Sequence, residues 1–443
     1  MRGVANRDLS CDLAFKIGAV GAYVLTNEVH SPRILIGMDT RKSGPMLGAA
    51  LSAGICSVGG DVLDVGILPT PAMAYLVRLY EADAAVMISA SHNPMEYNGI
   101  KWFDGNGFKL SDEIEDRIEE IIRSGEEIPH PEGREVGRII HAVRARQDYC
   151  DYLVEQSSGR FEGQRIVLDC ANGAASVIAK EVFERLGAQV IAKSSAPDGS
   201  NINSHCGSTH PERLQEMVVN YGADLGFAFD GDADRLISCD EYGNIVDGDQ
   251  AMGILALWMK EHGKLKKDTL VITVMSNLGL KKTMQENGIH VAETKVGDRY
   301  VLEEMLANKY SIGGEQSGHI ILLDKNSTGD GMMSAIALLN VVADSRKRLS
   351  KLAAQIPQYP QVLVNVTVEN DVKQQAMEDA DLAKRKAEIE KALGGNGRVL
   401  LRASGTEPLM RIMLEGQDEK KILDQALSLA HIIVKKYNGK IKN

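Results

Sequence analysis

The chain has 443 residues, 44% of them hydrophobic and 25% charged, which is ordinary for a globular protein of several domains. Its formal net charge of −11 argues against a nucleic-acid-binding surface as the main function. The six cysteines form no CxxC pair, no signal peptide precedes them, and no apolar run reaches the roughly 18 residues of a membrane span, so a cytoplasmic protein with reduced thiols is expected.

A repeated pattern of strand, helix and strand predicts three successive α/β units. The opening strands are "RILIGMD" from Arg33, "RIVLDC" from Arg165 and "TLVITV" from Thr269. The helical stretch after each strand ends in a Gly-x-x-Val step into a second strand, at 59–62, 187–190 and 288–291. Such units form mostly parallel sheets, and the expected domains are 1–152, 153–250 and 251–360.

A further strand in each unit ends in a polar or glycine-rich loop. These segments are "AVMISASHNP", "LGFAFDGDADR" and "YSIGGEQSGH". Ligands of open α/β sheets bind beyond the carboxyl ends of the strands. We therefore expect the three loops to contribute to one shared site between domains.

The C-terminal part, 361–443, is predicted to be a small α+β domain. After the linker-like "QIPQYPQ", the segment "VLVNVTV" alternates with a period of two, as a half-exposed strand does. A charged helix-like run covers 371–393, "RVLLRASGTEPLMRIMLEG" indicates two strands joined by a polar loop, and an amphipathic helix follows from about Asp418. The predicted fold class is therefore α/β, with three similar α/β domains of mixed, mostly parallel sheets and a C-terminal α+β domain around a central cleft.

The loop "DGDADR" places Asp230, Asp232 and Asp234 at alternate positions, so in extended backbone the three carboxylates share a face. They would repel one another unless a cation neutralised them, which favours a hard metal ion such as Mg²⁺. An EF-hand calcium loop is the alternative, since Glu241 falls at its twelfth position. However, Arg235 replaces the glycine that such a loop requires, and a strand-like segment precedes it.

Two other loops carry side chains that suit a phosphorylated sugar. The segment "RASGTEPLMR" offers guanidinium groups, hydroxyls and backbone amides that can hold a phosphate, from Arg402, Ser404, Gly405, Thr406 and Arg411. In "GGEQSGH", Glu315 and Ser317 suit sugar hydroxyls, and His319 suits phosphate binding or proton transfer. The alternatives are a capped surface turn for the first loop and a solvated glycine turn for the second.

Ser91 lies in the first of the polar loops. Since no Gly-x-Ser-x-Gly elbow surrounds it, an acyl-transfer hydrolase fits poorly. An ordinary polar turn is the alternative for this segment taken alone. Together with a carboxylate metal site and a phosphate-binding loop, the serine favours phosphoryl transfer.

These motifs resemble the α-D-phosphohexomutase family. "SASHNP" is similar to its phosphoserine loop, "DGDADR" to its metal loop, "GGEQSGH" to its sugar loop and "RASGTEP" to its phosphate loop. The strings "NINSHCGSTHPE", "TKVGDRYVLE" and "TGDG" resemble the bacterial branch that acts on glucosamine phosphates. The resemblance covers essentially the whole chain.

The resemblance implies an isomerase-class phosphotransferase that interconverts glucosamine 6-phosphate and glucosamine 1-phosphate through a 1,6-bisphosphate, supplying cell-wall precursors. It implies that Ser91 carries the phosphoryl group and helps the three aspartates to bind Mg²⁺. Lys101, His319 and Arg2 become candidates for proton transfer, whereas His92 and Arg235 orient or neutralise the phosphoserine. A homodimer is implied, with a phosphorylated amino sugar as substrate and no nucleic-acid or membrane partner.

The chain departs from the family pattern in two places. Family members usually carry a strand and a "GTDG" turn ahead of the element that "MRGVAN" matches, so we expect Arg2 to be mobile and turnover to be low. Tyr97 stands where the glucosamine branch often has Asp, with little effect expected. Two other functions remain open, a phosphomannomutase/phosphoglucomutase and a non-catalytic sugar-phosphate sensor on the same scaffold.

Overall fold

The computed structural model describes residues 1–25, 31–404 and 408–442. They form two compact units. The first unit comprises Met1–Met275 and Gly288–Gln355, and the second comprises Ser276–Asn287 and the chain from Ile356 onward. Among the described helices, none is both long and apolar enough to span a membrane.

The first unit begins with a six-stranded sheet whose strand order is β1-β5-β4-β2-β3-β6. Its elements are β1 (Arg2–Val4), α1 (Cys11–Leu25), β2 (Arg33–Met38), α2 (Gly44–Ser57), β3 (Asp61–Ile67), α3 (Thr70–Leu79), β4 (Ala84–Ile88), β5 (Tyr97–Asp104), α4 (Asp112–Ser124), β6 (Ile139–His141) and α5 (Ala145–Glu155). The strands β4, β2, β3 and β6 run parallel, and β5 pairs antiparallel with both β4 and β1.

A five-stranded sheet follows, with the order β11-β10-β9-β7-β8. Its elements are β7 (Arg165–Asp169), α6 (Ala179–Arg185), β8 (Gln189–Lys193), α7 (Glu212–Tyr221), β9 (Leu225–Phe229), β10 (Leu236–Asp240) and β11 (Ile245–Val246). The pairs of β7 with β8 and β9 are parallel, and those of β10 with β9 and β11 are antiparallel.

The third sheet of the first unit has four strands in the order β13-β12-β14-β15. The elements of this part of the chain are α8 (Gly248–Glu261), β12 (Thr269–Thr273), α9 (Leu278–Glu286), β13 (His290–Thr294), α10 (Asp298–Asn308), β14 (Ile312–Gly314), β15 (Ile320–Leu322), α11 (Gly331–Ser345) and α12 (Leu349–Ala353). Although α9 connects β12 to β13 along the chain, it belongs to the second unit.

The predicted repeat is confirmed. Each opening strand pairs in parallel with the strand that follows the Gly-x-x-Val step, as β2 with β3, β7 with β8 and β12 with β13. Gly59, Gly187 and Gly288 all have positive φ angles, which is the left-handed conformation that glycine supplies most easily at the end of a helix. The strands β4, β9 and β12 are buried along their whole length, which explains their unbroken apolar runs.

The second unit contains a four-stranded antiparallel sheet in the order β17-β18-β16-β19, together with α9. Its remaining elements are β16 (Gln361–Thr367), α13 (Lys373–Met377), α14 (Ala380–Leu393), β17 (Gly397–Ala403), β18 (Leu409–Gly416), α15 (Glu419–Tyr437) and β19 (Lys440–Lys442). The predicted class of three α/β parts followed by an α+β part is confirmed, and the domain boundaries remain predictions.

The charged run 371–393 is not a single helix as expected. The helix α13 ends at Met377, and the side chain of Asp379 accepts hydrogen bonds from the backbone N–H groups of Asp381 and Leu382. A side chain that caps a helix in this way begins a new helix, so the charged run is divided at Asp379. The strand β19 was not predicted.

Candidate active site

Ser91 lies three residues beyond the end of β4 and is almost fully buried. Its φ angle of +52° is left-handed, which is uncommon for a residue with a side chain. The hydroxyl Oγ donates a hydrogen bond to Asp230 Oδ2 at 2.6 Å. The loops after β4 and β9 therefore meet at Ser91 and Asp230, and their sharing of a substrate site stays a prediction.

Asp230, Asp232 and Asp234 follow β9 and bring one carboxylate oxygen each to within 4.8 Å of the others. All three side chains are buried. Their convergence comes from a turn and not from the extended backbone that the alternating pattern suggested, because β9 ends at Phe229 and Ala233 has a φ angle of +56°.

The pKa values of the three carboxyl groups are shifted in different directions. Burial and the charges of Asp234 and Asp232 raise the pKa of Asp230 well above its usual range. Burial also acts to raise the pKa of Asp232, but the ammonium group of Lys101 brings it below its usual value. The pKa of Asp234 is likewise lowered against the effect of burial, by its interaction with His319 and by Lys101. Lys101 and the hydrogen-bond donors beside Asp232 and Asp234 thus favour the ionised forms of these two carboxyl groups.

This donor set fits a hard divalent cation. Asp232 Oδ1 and Asp234 Oδ1 are buried and, within the described ranges, have no hydrogen-bond partner. Buried carboxylate oxygens without partners are costly unless they coordinate a metal or a cation. Oxygen-only donors are typical of hard ions such as Mg²⁺, Ca²⁺ and Mn²⁺. The three aspartates can therefore hold a metal ion beside Ser91.

Asp232 connects this loop to the strand β5 and to the helix α3. Its Oδ2 lies 2.6 Å from Lys101 Nζ on β5 and accepts a hydrogen bond from Thr70 Oγ1, at the start of α3, at 2.5 Å. Asp232 and Asp234 raise the pKa of Lys101 even though burial acts to lower it, so Lys101 is protonated at neutral pH. Lys101 was predicted as a site residue, and Thr70 was not.

His319 is buried on the other side of the carboxylate cluster. Its Nδ1 lies 3.6 Å from Asp234 Oδ2 and its Nε2 lies 3.7 Å from Asp298 Oδ2. Because Nε2 accepts a hydrogen bond from the Gly329 N–H at 3.1 Å, the N–H of the ring lies on Nδ1, facing Asp234. His319 thus orients a carboxylate of the cluster, and Asp298, which lies beside the ring, is paired with Lys109.

His92 and Arg235 lie beside the serine and the carboxylates as expected. His92 Nδ1 is 3.4 Å from Ser91 Oγ, and burial together with the charge of Arg235 lowers the pKa of His92 to about 4. A neutral histidine with so low a pKa is a weak base, in keeping with an orienting role. Arg235 Nε lies 3.9 Å from Asp234 Oδ1, so its guanidinium can balance charge at the cluster.

The sugar-loop candidates follow β14. Glu315 Oε1 accepts a hydrogen bond from the backbone N–H of Gly297, which fixes the carboxylate against the start of α10. Ser317 is exposed at the tip of the loop, two residues before the buried His319. The Glu315 carboxylate and the Ser317 hydroxyl therefore lie on the segment that leads to His319, beside the cluster of three aspartates.

Arg2 does not have the unanchored backbone that was expected. It belongs to β1, where it pairs with Gly99 of β5, and Met1 adds a hydrogen bond to Ile100. The guanidinium Nη1 lies 3.5 Å from Asn93 Oδ1, in the same loop as Ser91. The expectation of a mobile Arg2 is corrected, because strand pairing holds its backbone.

The phosphate-loop candidates lie in the second unit. Arg402 of β17 and Arg411 of β18 are directly opposite each other in the antiparallel pair. Burial and the charge of Arg411 lower the pKa of Arg402. The carbonyl of the buried Ser404 accepts a hydrogen bond from Lys373 Nζ at 2.8 Å. Gly405 and Thr406 fall outside the described residues. Adjacent guanidiniums repel each other and favour an anion between them.

Sequence reasoning missed Thr70, Asp298 and Gly329, which all touch residues of the site. Asp298 and Gly329 stand within the strings "TKVGDRYVLE" and "TGDG", which carried the resemblance but had no assigned role. Thr70 offered no signal, since its contact with Asp232 joins residues far apart in the chain.

Four domain descriptions of one family match the chain in order. They are phosphoglucomutase/phosphomannomutase alpha/beta/alpha domains I, II and III, at residues 1–129, 147–243 and 247–359, and the C-terminal domain at 363–432. Among curated relatives, a phosphoglucosamine mutase of Thermoanaerobacter sp. (strain X514) is 54% identical over 438 residues, which is 99% of this chain and 98% of that protein.

Solved structures support the same fold. A phosphoglucomutase/phosphomannomutase family protein from Burkholderia thailandensis superposes with a TM-score of 0.84 at 24% identity, covering 99% of this chain and 97% of that one. An Aspergillus fumigatus N-acetylphosphoglucosamine mutase, solved with GlcNAc-6P and magnesium, gives a TM-score of 0.63 at 18% identity, covering 82% and 92% of the two chains.

Proposed function

Because the chain belongs to the phosphoglucomutase/phosphomannomutase family, we propose that it interconverts glucosamine 6-phosphate and glucosamine 1-phosphate. It is a phosphohexomutase, an isomerase that moves a phosphoryl group between two oxygens of a sugar phosphate. The observation that carries the choice of sugar is the 54% identity, over nearly the full length, to a phosphoglucosamine mutase.

Ser91 is the proposed carrier of the phosphoryl group. In the first transfer, the bond between phosphorus and Ser91 Oγ breaks and a bond to the free sugar hydroxyl forms, giving glucosamine 1,6-bisphosphate. The reverse transfer, from the other end of the bisphosphate, restores the phosphoserine. The left-handed backbone of Ser91 and the 2.6 Å contact of its Oγ with Asp230 support this role, since they aim the hydroxyl at the carboxylate cluster.

Lys101 is the proposed proton donor. Its ammonium group, whose pKa Asp232 and Asp234 raise, is protonated at neutral pH and would give a proton to Ser91 Oγ as the phosphoryl group leaves. The resulting neutral amine would take the proton that the attacking hydroxyl loses. Arg2 is unsuited to this role because a guanidinium keeps its proton. Both ring nitrogens of His319 are engaged, so His319 serves to orient Asp234. The proton count is unchanged at the end of each transfer.

Mg²⁺ is the proposed metal, held by Asp230, Asp232, Asp234 and an oxygen of phosphorylated Ser91. When bound, it would act as a Lewis acid that offsets the charge of the phosphoryl group. The oxygen-only donor set supports this choice, and so does the magnesium in the Aspergillus fumigatus relative.

The remaining contacts to substrate are assigned by chemistry. Glu315 and Ser317 would bind sugar hydroxyls, and Arg402, Ser404, Gly405, Thr406 and Arg411 would bind the phosphate that is not reacting. His92 and Arg235 would steady and neutralise the phosphoserine. A homodimer and a cytoplasmic location remain predictions from the sequence.

Turnover on glucosamine, glucose and mannose phosphates, compared at equal enzyme concentration, tests the proposed sugar. We expect kcat/KM to be highest for glucosamine phosphate, and an equal or higher value for mannose phosphate would favour the phosphomannomutase/phosphoglucomutase alternative.

Intact-mass spectrometry tests whether Ser91 carries the phosphoryl group. An added phosphate in the wild type that disappears in Ser91→Ala, along with turnover, supports Ser91, whereas activity in Ser91→Ala would contradict the mechanism.

A further inference from the structure

Arg41 is a fully buried arginine that touches the serine loop, residues 89–96 between β4 and β5, from the inside of the protein. It follows β2, and β2 lies next to β4 in the first sheet, so the two strands end side by side. Neither the motifs nor the proposed chemistry gives Arg41 a role. Its contacts, however, are with the backbone that carries Ser91.

The guanidinium of Arg41 binds three carbonyl oxygens of the serine loop and one at the start of β5. Nη2 donates to the carbonyls of Ser91 and Asn93, each at 2.8 Å. Nη1 donates to the carbonyls of Pro94 and Tyr97. Nε donates to Asp39 Oδ2 at 2.9 Å. These contacts use all five N–H bonds of the guanidinium, so Arg41 has none left for a substrate or a phosphate.

The N–H side of Ser91 is connected to the same pair of residues. Ser91 N donates to Ser89 Oγ at 2.9 Å, and Ser89 Oγ donates to Asp39 Oδ2 at 2.6 Å. Asp39 and Arg41 are therefore linked to both the amide and the carbonyl of Ser91. This double attachment restrains the rotation of the Ser91 backbone on either side of its Cα.

A second residue reaches the same carbonyls from the loop after β8. Asn203 Nδ2 donates to the carbonyl of Ser91 at 2.8 Å and to that of Asn93 at 3.1 Å. Gly231 packs against the same point, since a Cβ there would lie only 2.5 Å from the Ser91 carbonyl oxygen. Asn203 belongs to the string "NINSHCGSTHPE", which had no assigned function.

We propose that Arg41 and Asn203 are positioning residues that hold Ser91 in its left-handed conformation and so keep its Oγ directed at Asp230. A serine in this conformation is strained and persists only where its surroundings fix it. Without the carbonyl contacts, Ser91 would relax to an ordinary φ angle and turn its hydroxyl away from the carboxylates. The proposal rests on the proposed role of Ser91 as phosphoryl carrier.

The test compares Arg41→Lys and Asn203→Ala with the wild type by steady-state kinetics and thermal unfolding. Lysine keeps the charge beside Asp39 but cannot span four carbonyls. For Arg41→Lys we expect kcat to fall at least tenfold with the KM for sugar phosphate within about twofold, and for Asn203→Ala a smaller fall in kcat with the same unchanged KM. A lower kcat at an unchanged KM means that the chemical step is slower while substrate binding is unaffected, which indicates that a reacting group is misplaced.

Two control variants separate positioning from stability. Arg33→Lys changes an arginine at the opposite end of β2, where Nη2 binds the carbonyl of Glu81, and should leave kcat unchanged. Ile36→Val removes one buried methyl group from the same strand and should lower the melting temperature without lowering kcat.

A wild-type kcat in folded Arg41→Lys would overturn the proposal. So would a kcat loss in Ile36→Val that matches that of Arg41→Lys at equal stability. If Arg41→Lys does not fold, a wild-type kcat in Asn203→Ala would overturn it instead. Activity in Ser91→Ala is a separate result, because it contradicts the carrier role whatever the Arg41 variants do.

Discussion

Asp230 and Asp232 lie in the same turn, yet their neighbours differ in charge. Asp230 accepts a hydrogen bond from the Ser91 hydroxyl, but burial and the charges of Asp234 and Asp232 outweigh it and disfavour the ionised form of Asp230. Asp232 is paired with Lys101 and accepts a hydrogen bond from Thr70. Substitution by the neutral amide should therefore have opposite effects on stability at the two positions, although both carboxylates serve the same proposed metal.

Asp230→Asn should abolish turnover and leave the melting temperature in chelator unchanged or higher, because a disfavoured negative charge is removed. Asp232→Asn should also abolish turnover but cost about 1–3 kcal/mol of stability, because the buried ammonium of Lys101 loses a charged partner. Thermal unfolding with EDTA and activity with Mg²⁺ measure the two effects. A large fall in the melting temperature of Asp230→Asn would show that this carboxylate supports the fold.

Gly329→Ala should displace His319, because a Cβ at this position would lie 2.6 Å from the imidazole ring. We expect kcat to fall at least tenfold and stability to fall by about 1–3 kcal/mol, the usual cost of overpacking. Gly159→Ala is the matched control, since a Cβ there meets no atom of the described residues within 4 Å and should change neither quantity. Wild-type kcat in Gly329→Ala would remove His319 from the catalytic arrangement.

At the scale of elements, strand pairing and helix caps decide which charges meet in the second unit. The antiparallel register of β17 and β18 places Arg402 opposite Arg411. The cap of α14 brings Asp379 to Lys436 and Tyr437 of α15, with Asp379 Oδ2 2.8 Å from both Lys436 Nζ and the Tyr437 hydroxyl. The first arrangement suits an anionic ligand, and the second stabilises the fold.

Arg402→Met or Arg411→Met should raise the KM for sugar phosphate more than it lowers kcat. A guanidinium on the phosphate that is not reacting contributes equally to the ground state and the transition state. A lost charged hydrogen bond of about 1.5–3 kcal/mol corresponds to a KM roughly 10 to 150 times higher. Steady-state kinetics measures this, and an unchanged KM in both variants would exclude the loop from substrate binding.

Asp379→Asn should make the amides of α14 exchange hydrogen faster at pH 7. The hydrogen bond from Lys436 lowers the pKa of Asp379, so its contribution to stability is present above the unfolded-state pKa of about 3.9 and is lost as the pH falls towards the lower folded-state value. The difference between variant and wild type should therefore shrink in acid. Hydrogen exchange by mass spectrometry at several pH values measures it, and a difference independent of pH would contradict the ion pair.

The helices and strands could be predicted well from the sequence, whereas the contacts between distant segments could not. The strands that end before Ser91 and Asp230 followed from apolar runs, and the site loops followed from their motifs. The turn that gathers the aspartates depends on a left-handed Ala233, and the partners Thr70 and Asp298 come from distant segments. Local patterns carry no information on such contacts, so these residues needed the folded structure.

At the scale of the whole molecule, the second unit is built from two separate stretches of chain. Asn277, just before α9, donates from Nδ2 to the carbonyl of Tyr359 at 2.9 Å, and Lys282 Nζ lies 2.7 Å from Asn396 Oδ1. The N–H of Leu278 donates to Glu415 Oε2 at 3.1 Å. The stability of the C-terminal sheet therefore depends on a helix encoded far upstream.

Asn277→Ala should loosen the second unit although it lies between β12 and β13 in sequence. It removes the cap of α9 and the side-chain bonds to Tyr359, at a cost of about 1–2 kcal/mol. We expect faster hydrogen exchange in the segment 356–367 and no change in β7 or β9. Asn308→Ala, near the end of α10, is the control and should leave 356–367 unaffected. Equal protection in both variants would show that α9 adds nothing to the second unit.

Because the second unit is built from two stretches of chain, its parts are translated at different times. When α9 leaves the ribosome, the strands that complete its unit have not been made. Translation of the intervening residues 288–355 takes about 3 to 14 seconds at roughly 5–20 residues per second. For at least that interval α9 has no sheet to pack against, and a chain whose translation stops before Ile356 would expose α9 to proteases and chaperones.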